Sequence, residues 1–341
     1  MEKLIELVNQ KLDEFMPINY PHKIFKAMKY TVTLPGKRLR PVMCLESCRM
    51  FGGNIEDALP TACAIEMLHA QTLIHDDLPC MDNDNYRRGQ LTNHMVFGEA
   101  NAVLAGDALL TFAPQTILKN SKNLGAEKLL KIMEEYFQYA GAYGVIAGQV
   151  VDIESERLIA VDLKSEELDI AAKQLGSQAA KLDDNDISEI QEKSQTDKDL
   201  SPYRPIALSS FNENLDEYSQ TLDYIHTHKT ADLFKLALRT GAIIAGASEK
   251  QLEEITEFGQ TMGVAFQIAD DILDVTSTFE EMGKTLGKDE QEGKLTYVSL
   301  YGLDKAKEDL NKMIDKCFEI LDKNNLKSEI FEKILNKIRI S

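Results

Sequence analysis

Glu249–Val275 reads EKQLEEITEFGQTMGVAFQIADDILDV. Its apolar residues, Leu252, Ile255, Phe258, Met262, Ala265 and Ile272 among them, recur at spacings of three and four. That is the period of one helical face, not the alternation of a strand. The run ends in Asp270-Asp271-Ile-Leu-Asp274, so Asp270 and Asp274 share a face, where unpaired carboxylates repel. A bound cation would remove that conflict. Outward from this stretch, the same period marks Leu222–Ile244, Glu127–Val150, Gly98–Lys119 and Ile55–Asp77. Turn-forming residues separate the runs at Leu34-Pro35-Gly36, Phe51-Gly52-Gly53 and Gly283–Gly293. Strand signals are sparse, and an all-α fold follows.

A second aspartate cluster, Asp76-Asp77-Leu-Pro-Cys-Met-Asp82, closes the run Ile55–Asp77. A regular helix would turn Asp82 well away from Asp76, at roughly 100° per residue. Pro79 predicts that the helix ends or bends here, letting Asp82 swing back. Hard oxygen ligands from a few carboxylates suit Mg²⁺, which keeps several waters and completes its shell with substrate phosphates. A calcium loop starting at Asp82 fails, because Arg87 stands where glycine is needed and Asn93 where the bidentate Glu belongs. Glu66-Met-Leu-His69 is half of a di-iron signature, and no second Glu-x-x-His accompanies it.

Composition limits the partners. The 341 residues are 43% hydrophobic, enough to bury a large core. No stretch reaches the roughly 20 apolar residues of a membrane span and no secretory pattern is visible, so a cytoplasmic protein is expected. Five cysteines without a CxxC pair suggest buried thiols, not a disulfide framework or a zinc ribbon. A net charge of −18 argues against nucleic acid. It does not exclude anionic substrates if carboxylates first recruit divalent cations. Asp162–Gln220 holds 14 acidic and 6 basic residues and reads as an atypical acidic insertion without a catalytic role.

Basic motifs lie close to the aspartates in sequence. Gly36-Lys37-Arg38-Leu39-Arg40-Pro41 gathers three cations beside a loop, and Arg87-Arg88-Gly89 follows the first aspartate cluster. Both suit charge-assisted hydrogen bonds to a diphosphate. With Leu91–Leu110, Gly148–Asp152 (GQVVD), His226–Thr230 (HTHKT), Phe266–Asp274 and Gly283–Tyr297, these motifs span the chain except Asp162–Gln220. In them the chain resembles the short-chain trans-prenyl diphosphate synthases, specifically the bacterial farnesyl and geranylgeranyl diphosphate synthases.

The resemblance implies one large helical bundle over residues 1–341, interrupted by the insertion, with a deep central cavity, and a homodimer. It implies Asp76, Asp82 and Asp270 as direct ligands of about three Mg²⁺, supported by Asp77, Asp271 and Asp274. Lys37, Arg40, His69 and Arg88 would hold isopentenyl diphosphate. Arg87, Lys229, Thr230, Gln267, Lys284 and Lys294 would address the allylic diphosphate, with Lys229, Thr230 and Gln267 nearest the chemistry. His75, His94 and His226 match family positions without an assigned step, and Phe266, Ile268 and Ile272 read as core.

The implied reaction breaks an allylic C–O bond, adds the isopentenyl C=C bond to the cation and releases a proton to the departing diphosphate. No Ser-His-Asp or Cys-His constellation is needed. A terpene cyclase is disfavoured by the second aspartate motif and GKRLRP, and a non-catalytic partner subunit by the intact aspartates. The four residues between Asp77 and Asp82 favour short products over long ones. Gln71 and Thr72, just before Asp76, are the expected product-length positions. Gln71 is intermediate in size, giving C15 as the expected product and C20 as the alternative.

Overall fold

The computed structural model describes residues 1–155, 208–277 and 294–339. Its helices are α1 (Glu2–Phe15), α2 (His22–Thr33), α3 (Leu39–Met50), α4 (Ile55–Asp76), α5 (Asn93–Phe97), α6 (Glu99–Asn120) and α7 (Ala126–Ala140). After α8 (145–155) come α9 (Leu208–Ile225), α10 (Asp232–Ala245), α11 (Glu249–Thr276), α12 (Tyr297–Tyr301), α13 (Leu303–Lys323) and α14 (Glu329–Ile338). Among the described residues the only strands are β1 (Tyr86–Arg87) and β2 (Gln90–Leu91), paired antiparallel. Of the acidic segment 162–220, residues 162–207 lie outside the described residues, and 208–220 belong to α9.

The helix α4 is the axis of the bundle. Asn54 caps its N-terminus by accepting from the Glu56 amide, with Glu56 and Asp57 in the first turn facing the positive end of the helix dipole. From Ala58 to Leu68 every residue is buried, because α3 packs on one side and α6 on the other. A helix apolar all round is the pattern of a central one. The helices α10 and α11 continue the layer, with α10 against α3 and α11 against α13. Ser248 and Gln251 form a capping box that fixes where α11 starts.

Two sequence expectations shift. The run Glu127–Val150 is two helices, since the chain leaves α7 at Gly141 and re-enters a helix only at 145. A side chain at Gly144 would come within 2.1 Å of the Tyr139 carbonyl, so the sharp exit needs glycine there. The run Leu222–Ile244 carries a π-helical turn, His226–Ala231, between α9 and α10. An inserted residue shifts the phase of the following helix by roughly 100°, but α10 is buried on almost every face, so its apolar pattern carries no phase in which the shift could be read.

Arg38, in the left-handed region at φ 46°, spends its guanidinium on the fold. It donates to Glu66 at 2.7 Å, to Asn9 at 2.8 Å and to the Leu34 carbonyl at 2.8 Å. This buried pairing ties α1, the basic loop and α4 together and leaves Lys37 and Arg40 for other work.

Candidate active site

The helix α4 stops at Asp76, and the chain turns so that the Asp82 amide donates to the Asp76 carbonyl at 2.8 Å. Asp82 is thereby returned beside Asp76. The end of α11 faces this turn, and between them lies a cavity of about 200 Å³. Among the described residues, Asp76, Asp82, Asp84, Asp152, Asp270, Asp271 and Asp274 line it together with three permanent cations, Arg87, Lys229 and Lys294. Burial, reinforced by the charge of Asp82 and opposed by Lys229, pushes the Asp76 carboxyl up to about 6. Burial likewise raises Asp77 to about 7, although Arg87 contacts it at 2.5 Å. For Asp82 burial is outweighed by Lys294, 3.1 Å away, and Lys229, which hold it below the ordinary carboxylate value.

The π-turn carries Lys229 and Thr230, the residues expected nearest the chemistry. Lys229 pairs with Asp152 from α8. Burial opposes its charge, but Asp152, Asp76 and Asp82 together raise its pKa. The Thr230 hydroxyl donates to Gln267 Oε1 at 2.6 Å, and Gln267 Nε2 donates to Asp271 Oδ1 at 2.9 Å. The Tyr297 amide donates to Asp271 Oδ2 at 2.8 Å. Thr230 therefore has its proton engaged and its oxygen lone pairs available, while both oxygens of Asp271 are in use within the protein. Two glycines let other helices grip this turn. A Cβ at Gly148 would lie 2.2 Å from the Lys229 nitrogen, and one at Gly263 would lie 2.5 Å from the Ala231 Cα.

A second patch is cationic. Arg40 stacks over Phe234, 5.2 Å from the ring centroid, and approaches His69 Nε2 at 3.5 Å. Its Nε is buried without a hydrogen-bond partner. Arg88 packs against Gly36, where a Cβ would sit 2.5 Å from a guanidinium nitrogen. This close approach brings the Lys37 loop to the patch. Burial, with Arg88 adding and Glu66 opposing, lowers Arg40 to about 10. Burial, then Arg38 and Arg87, lower Arg88 despite Glu66. Burial followed by Arg40 and Arg88 holds His69 well below its ordinary value, hence neutral. Neither Arg40 nor Arg88 has a carboxylate partner among the described residues, which is the electrostatic signature of an anion subsite.

The structure thus brings together on one cavity Asp76, Asp82, Asp270, Asp271, Asp274, Arg87, Lys229, Gln267 and Lys294. Asp77 turns to Arg87, and Thr230 reaches the cavity wall through Gln267. Lys284 lies outside the described residues. Gln71 Nε2 is 3.2 Å from His75 Nδ1, and the Thr72 hydroxyl donates to the His69 carbonyl at 2.8 Å. Neither lines the carboxylate cavity. Asp84 and Asp152 are the lining carboxylates that sequence reasoning left without a role, though GQVVD contains Asp152. His226 also lines the cavity, 3.5 Å from Asp271 and stacked on Tyr297.

Among the described residues no three His, Cys, Asp or Glu side chains converge to hold an ion by themselves. Among the described residues, carboxylates outnumber permanent cations seven to three around the cavity. Such a site fits Mg²⁺, which takes one or two carboxylates per ion and finishes its shell with phosphate oxygens and water.

The chain is similar to known proteins. The family model for polyprenyl synthetase matches residues 21–181 and 187–338, so the match runs into the acidic segment from both sides and is interrupted only at 182–186. A dimethylallyltranstransferase of Fischerella ambigua is 38% identical over 92% of this chain and 74% of its own length. A chloroplastic geranylgeranyl pyrophosphate synthase of Catharanthus roseus is 38% identical over 90% of this chain and 70% of its own. A geranyltransferase of Helicobacter pylori, solved with magnesium and isoprenyl diphosphate, superposes with a TM-score of 0.72 at 26% identity, covering 99% of this chain and 94% of its own.

Proposed function

The chain belongs to the polyprenyl synthetase family and is a prenyltransferase, and from that premise we propose that it joins isopentenyl diphosphate head to tail to an allylic diphosphate. The observation that carries this reading is a carboxylate-lined cavity beside two guanidinium groups, Arg40 and Arg88, that have no carboxylate partner among the described residues. One half suits a metal-bound leaving diphosphate, the other the diphosphate of the second substrate.

Asp76, Asp82 and Asp270 would hold Mg²⁺, with Asp77, Asp271 and Asp274 supporting them. When bound, the metal neutralises charge on the departing diphosphate. Arg87, Lys229 and Lys294 take its remaining oxygens. The oxygen of Thr230, its proton committed to Gln267, presents lone pairs to a developing allylic cation. Lys37, Arg40 and Arg88 hold isopentenyl diphosphate, and neutral His69 adds a hydrogen bond without adding charge. No protein base is placed for the final proton, which passes to the released diphosphate. The test is mass spectrometry of products made by purified protein from isopentenyl diphosphate and each allylic diphosphate. Absence of condensation with every allylic partner in Mg²⁺ would end the reading.

The product limit read from the sequence is farnesyl diphosphate, C15. Two observations favour the C20 alternative. The Gln71 amide is drawn onto His75, and the relatives at 35–39% identity include several geranylgeranyl diphosphate synthases. The same product analysis separates the two.

We also propose a homodimer built on the outer faces of α6 and α7, where Leu104, Leu118, Leu130 and Phe137 are each more than half exposed. An apolar surface of this kind is normally covered. Sedimentation of the chain as a monomer at micromolar concentration would rule it out. Among the described residues no helix is long and apolar enough to cross a membrane.

A further inference from the structure

Four groups from two helices meet behind the first aspartate motif. His75 Nε2 lies 3.1 Å from the Val103 carbonyl on α6, and His75 Nδ1 lies 3.2 Å from Gln71 Nε2 one turn back on α4. A carbonyl only accepts, so Nε2 carries a proton, and in the neutral ring Nδ1 then presents a lone pair to the Gln71 amide nitrogen that faces it. The carboxylate of Asp107, 3.9 Å from Nε2, favours the same tautomer. Gln71 must then donate through its amide nitrogen, which fixes the orientation of the amide. Gly106 supplies the room, since a Cβ there would stand 2.0 Å from His75 Nε2 and 2.4 Å from Cδ2. Any side chain at 106 would expel the ring.

We propose that His75 is a positioning residue for product length: the relay from the Val103 carbonyl through the imidazole to the amide locks Gln71 in one rotamer. This rests on the reading above that position 71 bounds the growing chain. A free glutamine would sample several rotamers and blur the limit. A latched one gives a single wall and hence a narrow product set. His75 touches no reacting atom in this scheme and acts only through Gln71.

The experiment compares the ratio of the two main chain lengths in the wild type, His75→Leu, His75→Gln and Gly106→Ala, alongside Gln71→Tyr and Gln71→Ser. His75→Leu removes both hydrogen bonds, so that ratio should fall about fivefold, the population change that one ordinary hydrogen bond controls. Gly106→Ala should do the same by displacing the ring. His75→Gln keeps a donor and an acceptor and should restore the wild-type ratio. In ¹⁵N-histidine spectra of the full chain, His75 should show a protonated Nε2 and an unprotonated Nδ1. If the Gln71 variants shift the products while folded His75→Leu and Gly106→Ala do not, the latch is refuted and the role of position 71 stands. If the Gln71 variants also change nothing, position 71 does not bound the chain and both ideas fall. The opposite tautomer in the spectra would refute the latch by itself.

Discussion

Replacing Gly148 by alanine tests whether the π-turn must sit where it does. The added Cβ would lie 2.2 Å from the Lys229 nitrogen and 2.7 Å from the His228 carbonyl carbon, whereas ordinary contact begins at 3.4 Å. The obstruction is backbone, not the end of a flexible side chain, so α8 and the turn must part by about 1 Å. A shift of that size stretches the 2.6 Å bond from Thr230 to Gln267 and separates Lys229 from Asp152, which lies four residues further along α8. Misplacement of catalytic groups by about 1 Å costs on the order of 10²-fold in rate, about 2.7 kcal/mol in the barrier. Overpacking costs stability by about 1–3 kcal/mol, which a chain of this size survives. The assay is kcat for condensation of labelled isopentenyl diphosphate, paired with a melting curve. Gly125→Ala is the control: a Cβ there meets nothing within 4 Å, and replacing a helix-capping glycine costs up to roughly 1 kcal/mol of stability with no reason for a rate change. If folded Gly148→Ala turns over at the wild-type rate, the gripped turn does not position Lys229 and Thr230.

Other outcomes follow from the same geometry. Asp76→Ala and Asp270→Ala should each lower turnover by about 10²-fold or more by removing a ligand from the ionising cluster, and wild-type rates in both would refute the assignment. EDTA should abolish condensation and added Mg²⁺ should restore it, so undiminished activity in chelator would exclude a metal role. Arg88→Ala should raise KM for isopentenyl diphosphate by about tenfold or more, the worth of a charge-assisted bond, and leave KM for the allylic substrate nearly unchanged. Cys80 is exposed, whereas Cys44, Cys48, Cys63 and Cys317 are buried, with Cys44 and Cys317 pushed up to about 12 by burial. A disulfide reagent at pH 8 should therefore titrate one thiol in native protein and five in denaturant.

The fold and most of the residues that line the cavity were legible because local signals coincide with them. Apolar spacings of three and four gave α4, α6 and α11 to within a residue or so at each end, and in the structure Asn54 and Ser248 cap the starts of α4 and α11. Proline in the first aspartate motif announced the turn that returns Asp82 to Asp76. What stayed hidden depends on residues far apart in sequence. Asp152 is one carboxylate on a helical face until Lys229, 77 positions later, is laid beside it. Arg38 and Arg40 look equivalent in GKRLRP, and only the tertiary structure gives Arg38 to Glu66 and leaves Arg40 over Phe234.

The π-turn was invisible for a related reason. An α-helical continuation of α9 into α10 would satisfy the apolar pattern nearly as well, so the inserted residue is selected by contacts and not by propensity. Those contacts are Gly148 and Gly263 pressing from two sides, the bond from Gln260 to Thr227 at 2.8 Å, and His228 held on Asp232 at 2.9 Å. Each comes from a different part of the chain or locks the next turn. Their joint effect is to let Lys229 reach the carboxylates while its neighbour Thr230 reaches Gln267. Adjacent residues on a regular helix diverge by roughly 100°. The wider turn reduces that angle.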